Sequence, residues 1–246
     1  MKIKKEITDQ EIFSVEKNEI IDNSLQFITK WYTSGIKEFG ELTILEKKEL
    51  RSEVENFDES EVAEFSASSF IEMKHHTTLV GSNVELSGNK KMKTHGVDLV
   101  HKKGTKIVFI EVKGAKDNAK QTKATLIKNF ENAQGQLNSI NDPKEISRFS
   151  KVLRASLRSV DDPLVEKLLE NLYDFERGEA KLARSKIELL ATVVYPENEF
   201  DQKFSDDTST KQFLIEIKQR GKNLGREALE KIEGEITSNL EEYEKH

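Results

Sequence analysis

Asp98, Glu111 and Lys113 are the residues whose types suit phosphoryl chemistry. Two carboxylates offer hard oxygen ligands to a divalent cation such as Mg2+ or Mn2+. A lysine beside them orients a water and offsets charge building on a phosphate. Spacing decides whether they meet. In Ile107-Val108-Phe109-Ile110-Glu111-Val112-Lys113 the strand period of two puts Glu111 and Lys113 on one side, with Ile107 and Phe109. The stretch through Val112 is apolar on both sides except at Glu111, the pattern of a central strand covered on both faces. A carboxylate there is costly unless it is paired or holds a metal. Asp98, in Gly96-Val97-Asp98-Leu99-Val100, falls on a neighbouring strand joined by the turn His101-Lys102-Lys103-Gly104. That connection brings both acids within reach of one cation.

The pattern Glu-x-Lys alone carries little weight, since it occurs five times in a chain this rich in both residues. Only Glu111/Lys113 joins a buried strand to a preceding strand-borne acid and a lysine-rich surround. Its structural alternative is a salt-bridged strand end. Residues 89–128 hold eleven lysines against three acids, a net +8, whereas the whole chain is −6. The asymmetry marks a polyanion surface, because neutralising phosphates releases counterions; the plainer alternative is a solvated lysine face. His95, Asp98 and His101 do not form a zinc set, since on a strand 98 faces away from 95 and 101. His75 and His76 sit near a helix C-terminus, where imidazolium suits the dipole. Gly221-Lys222-Asn223-Leu224-Gly225 lacks the spacing of a phosphate loop.

Several elements must position these residues. Apolar spacing predicts helices over 22–39, 59–75, 122–140, 144–157 and 162–178, the last with Pro163 in its first turn. Strands are expected at 97–101, 107–112 and 187–195, and 213–217 is a strand or a helix start. Residues 1–20 read as a short strand or loop and 41–60 as exposed helix or linker. Leu229, Ile232, Ile236, Leu240 and Tyr243 line one face of a closing helix. The order gives an α/β fold with a mixed central sheet flanked by helices. It divides as a polar and helical region (1–58), a core (59–222) and the closing helix (223–246).

With 246 residues the chain can bury a core without staples, and zero cysteines exclude disulfides, thiolate metal sites and a cysteine nucleophile. No apolar run is long enough to span a bilayer, and the first residues lack the apolar stretch of a signal peptide. A cytoplasmic location with no membrane partner is the expectation.

Asp98 and Glu111-Val112-Lys113 on adjacent strands resemble the active-site signature of the PD-(D/E)xK nuclease superfamily, over roughly residues 59–140. The resemblance implies a restriction-endonuclease-like core and Mg2+- or Mn2+-dependent hydrolysis of DNA phosphodiesters. Asp98, Glu111 and Lys113 are its catalytic residues, with the metal on Asp98, Glu111 and the Val112 carbonyl. It further implies an acid on the helix before the first core strand, for which Glu64 stands beside the apolar face and Glu61 and Glu72 are alternatives. Gln134, on the helix after the lysine strand, is a candidate phosphate or lysine contact or a simple helix-edge amide. Lys102, Lys103, Lys116 and Lys123 are the candidate DNA-binding lysines. Val97-Asp98 stands where the family often has Pro-Asp. The same arrangement, with His95-Gly96-Val97-Asp98, also resembles the HamA family, the nuclease subunits of the Hachiman anti-phage defence system. That likeness implies a defence effector whose partner is a HamB-like helicase. The alternative is a catalytically silent nucleic-acid-binding or assembly subunit of the same fold.

Overall fold

The apolar stretch that carries Glu111 lies inside a sheet covered on both faces. The computed structural model describes residues 2–7, 10–33, 37–55, 59–82, 97–114, 123–156, 162–196, 211–218 and 224–243. Seven strands, β1 (Lys2–Ile7), β2 (Gln10–Glu16), β3 (Thr78–Ser82), β4 (Leu99–Lys103), β5 (Lys106–Gly114), β6 (Ile187–Pro196) and β7 (Lys211–Lys218), form one mixed sheet. Their order is β1-β2-β7-β6-β5-β4-β3. The pairs β3–β4, β4–β5 and β1–β2 are antiparallel, whereas β5–β6, β6–β7 and β2–β7 are parallel. Parallel neighbours need a crossover, and three helices intervene between β5 and β6: α4 (Lys123–Asn138), α5 (Ser147–Ser156) and α6 (Pro163–Glu176).

Those three cover one face. Phe130, Ala133 and Leu137 of α4, Phe149 and Val152 of α5, and Val165 and Leu172 of α6 share a core with Val100, Ile107, Phe109, Ala191 and Val193. The other face carries α1 (Lys17–Tyr32) and α3 (Glu59–His75), with α7 (Leu224–Tyr243) and α2 (Ile44–Val54) packed beyond them. There Leu25, Ile28, Phe65, Phe70 and Ile71 meet Leu99, Val108, Ile110, Val112, Leu190 and Val194. The alternation along β5 therefore feeds two cores at once, Ile107 and Phe109 to one and Val108, Ile110 and Val112 to the other. Replacing Phe109, which is fully buried, by alanine would cost about 3–5 kcal/mol. The closing helix buries Ala228, Ile232 and Ile236, so it packs on the fold as its spacing predicts.

The structure differs from the sequence reading in several places. The strand expected at 97–101 runs Leu99–Lys103, so Asp98 leads into it instead of lying on it, and the helix expected from 144 begins at Ser147 after a 3-10 turn. Residues 1–58 supply β1, β2, α1 and α2, and β2 joins the shared sheet through β7. The first helix starts at Lys17 and stops at Tyr32, and Phe39 lies in a short 3-10 turn instead. The β4–β5 connection is tighter than His101–Gly104: Lys103 pairs with Lys106, leaving Gly104 and Thr105 as the turn. Gly104 has φ +57°, a left-handed value that glycine adopts without a Cβ penalty. Strand pairing therefore runs through His101, Lys102 and Lys103, the residues expected to form the turn. Among the described residues no helix is long and apolar enough to cross a membrane.

Candidate functional site

The β4–β5 register fixes the acids. Leu99 pairs with Ile110 and Val100 with Phe109, so Asp98, just before β4, falls opposite Glu111. Val100 and Phe109 belong to the core under α4, α5 and α6. By the strand period, Asp98, Glu111 and Lys113 project to that same face. Asp98 and Glu111 are buried, at 9% and 3% exposure. Asp98 Oδ2 accepts the Val112 N–H at 2.8 Å, and Lys113 Nζ donates to Glu111 Oε1 at 2.6 Å.

Electrostatics at this strand end are dominated by two acids facing one lysine. Burial first, and then the charge of Glu111, push the Asp98 carboxyl far above its usual range; Lys113 and the Val112 N–H oppose them only in part. Burial also raises Glu111, against Lys113 and the more distant Arg148. For Lys113 burial acts to lower the pKa, but Glu111, Asp98 and then Glu64 outweigh it and hold the ammonium protonated.

Glu64, on α3, is thus within Coulombic range of Lys113 although its helix covers the opposite face. Glu72 is occupied elsewhere, accepting the Leu79 N–H at 2.7 Å where α3 turns into β3. The Glu61 side chain lies outside the described residues. The Val112 side chain enters the α3 core, while its N–H serves Asp98. Gln134 is buried on α4, over the acid-bearing face, and its Nε2 has no hydrogen-bond partner among the described residues.

Of the candidate lysines, the described Lys102 and Lys103 do not lie at the acids. Lys102 and Lys103 occupy the hairpin end of β4, roughly 13–17 Å along the strand from Asp98 at about 3.3 Å per residue. Lys102 is ion-paired with Asp162, the N-cap of α6. It lines a groove with Thr105, Leu164, Lys167 and Lys186, away from the carboxylates. Lys116 and the side chain of Lys123 lie outside the described residues, as does His95.

His101 is turned to the α3 face. Its Nε2 meets Ser68 Oγ at 3.0 Å and its Nδ1 meets Thr77 Oγ1 at 2.9 Å. Burial, and then His75, lower its pKa to about 3, so it is a neutral, satisfied core histidine and no partner for Asp98.

Among the described residues no group of three or more His, Asp or Glu side chains is arranged to hold a metal. The pair Asp98/Glu111 nevertheless fits Mg2+, which characteristically takes one or two carboxylates and completes its shell with water and substrate oxygens. The same chemistry disfavours zinc, since neither sulfur nor imidazole is present.

One neighbour has no signal in the sequence. Arg148 opens α5, and its carbonyl accepts the Val97 N–H at 3.3 Å, one residue before Asp98. Only the fold brings the two together. No family model, curated protein or solved structure matches this chain.

Proposed function

We propose that the protein is a metal-dependent DNA nuclease with a restriction-endonuclease-like core. The observation that carries this is a buried carboxylate pair, Asp98 just before β4 and Glu111 opposite it on β5, on one face, with Lys113 two residues on. The succession α3-β3-β4-β5-α4 and then β6, parallel to β5, supports it: the acids sit between an acid-bearing helix and a glutamine-bearing one. Two buried acids with a single ammonium between them are expensive for folding alone, and their presence is explained if they serve a cation.

Asp98 and Glu111, with the Val112 carbonyl, would hold Mg2+ or Mn2+, which when bound supplies Lewis-acid polarisation of a phosphate oxygen and a more acidic water. The chain's own residues do the rest. Lys113 orients the water and stabilises charge on the phosphate, and Glu64 adds negative potential that keeps Lys113 protonated. In the hydrolysis the water oxygen bonds to phosphorus and one P–O ester bond breaks. The water gives up its proton to solvent and the leaving oxygen gains one. The likeness to HamA extends the proposal to an anti-phage defence effector directed to DNA by a HamB-like helicase.

A second function is favoured by one contact, the Lys113–Glu111 ion pair. It ties up the lysine that would serve the water, as in a silent DNA-binding or assembly subunit. Incubating linear and circular DNA with Mg2+ or Mn2+, with and without a helicase partner, separates the two. Lys113→Ala should retain metal binding and lose about 10²–10³ in rate. Metal-dependent cleavage that survives in Lys113→Ala would refute the assignment of Lys113, and no cleavage by the wild type would favour the silent subunit.

A further inference from the structure

Two packing contacts anchor the first turn of α5 over the acid-bearing face. Phe149, 1% exposed, lies edge-to-face on Phe109 with ring centroids 5.1 Å apart. Phe109 precedes Glu111 by two residues on the same face of β5, one strand repeat away. The neighbouring residue, Arg148, holds Val97 through its main-chain carbonyl, and Val97 leads directly into Asp98. The backbone of Arg148 is thereby fixed between the strand carrying Glu111 and the segment carrying Asp98.

Its side chain is not similarly committed. Arg148 is 22% exposed, and among the described residues its only ion pair is a long one, 3.9 Å to Glu145. Among the described residues its guanidinium donates no hydrogen bond of ordinary length. It nevertheless lies close enough to Glu111 to oppose the effect of burial there. Lys113, by contrast, donates directly to Glu111 at 2.6 Å. A planar fork of five donors suits the oxygens of a phosphate better than a single ammonium does. The site thus contains one cation held by an acid and one with most of its donors unspent.

We propose that Arg148 is the phosphate-holding cation of this site, donating to non-bridging oxygens of a DNA phosphate placed against Asp98 and Glu111. The proposal rests on the nuclease assignment above and adds to it a division of roles. Lys113 attends the water, and Arg148 attends the phosphate. Arg148 takes no part in bond making or breaking and carries no proton.

The test is DNA binding by the full chain, measured with a labelled duplex in Ca2+ over a salt series, beside cleavage in Mg2+. Arg148→Ala and Arg148→Gln should weaken binding about tenfold and reduce the salt slope by about one, while Arg148→Lys restores the slope and part of the affinity. Cleavage should fall about 10²-fold in the neutral variants. The main-chain bond to Val97 survives all three substitutions, so melting temperatures should stay close to wild type, and Arg148→Gln serves if the alanine variant does not fold. Unchanged affinity and slope in the neutral variants would overturn the proposal. So would loss in Arg148→Lys equal to that in Arg148→Gln, which marks a packing role. If the wild type binds DNA but does not cleave it, the nuclease assignment fails and the binding series still decides the role of Arg148. If it binds no DNA, both fall.

Discussion

The two faces of the β4–β5 hairpin each bury polar side chains, and they do so in opposite ways. On the α3 face His101 is neutral and meets a hydroxyl at each ring nitrogen, Ser68 and Thr77. On the α5 face Asp98 and Glu111 press two acids together with one bonded ammonium between burial and repulsion. A satisfied neutral cluster stabilises and specifies a fold. Two buried acids facing a single ammonium are costly to fold. Burial of polar groups is common to both, so burial alone does not distinguish structure from function. The balance of charge and donors is what differs between them.

That contrast breaks most sharply at the acids. Asp98→Asn or Glu111→Gln should abolish metal-dependent cleavage, by at least about 10³-fold; Asp98→Asn should also raise stability by about 1–2 kcal/mol, since a neutral amide replaces a carboxyl that burial and Glu111 disfavour. Activity assays beside denaturant melts check both signs. A destabilised Asp98→Asn would mean that the pair is structural.

On the opposite face the expectation reverses. His101→Ala should lower stability by about 3 kcal/mol, through a cavity and two hydroxyls left without their ring partner. Cleavage per folded molecule should be unchanged. Next in size is a pH effect. The folded pKa of His101, about 3, lies below its ordinary 6.5. The unfolded chain therefore takes up the proton first as pH falls. Stability from the neutral ring is intact above about 6.5 and is lost below it, at up to about 1.4 kcal/mol per pH unit. The nearby His75 works in the same direction, because its charge disfavours a charged His101. Denaturant melts from pH 7 to 4 should show this slope, and His101→Asn should flatten it. The smallest effect belongs to Lys102→Ala at the hairpin end, where losing the partly exposed pair with Asp162 should change stability by less than about 1 kcal/mol.

Much of this site was legible because strand parity is a local rule. The spacing of Glu111 and Lys113, and the apolar residues around them, gave the shared face, and the preceding acid followed from a short connection. Helix α3 was equally plain, its bounds 59–75 matching the apolar spacing. Other features have no local signature. Lys2–Ile7 and Gln10–Glu16 mix charges with apolar residues, and the strand that completes their pairing, β7, lies far along the chain. The turn at Gly104 depends on a left-handed backbone rather than on the lysines before it. Arg148 looks like any helix-surface arginine until Val97 and Phe109 are placed against its turn.

The parallel pairing of β2 with β7, Gln10 opposite Gln212 through Glu16 opposite Lys218, bears on how the protein is made. On the ribosome the segment that becomes β2 emerges early and then waits for about 200 more residues before its partner exists, some 10–40 s at usual elongation rates. For that interval its backbone donors and acceptors are an open edge, available to other nascent chains. The β4–β5 hairpin, which carries Glu111 and is led into by Asp98, closes over the two-residue turn Gly104–Thr105 and need not wait. Synthesis would therefore close the β4–β5 end of the sheet first and complete the β2–β7 pairing last.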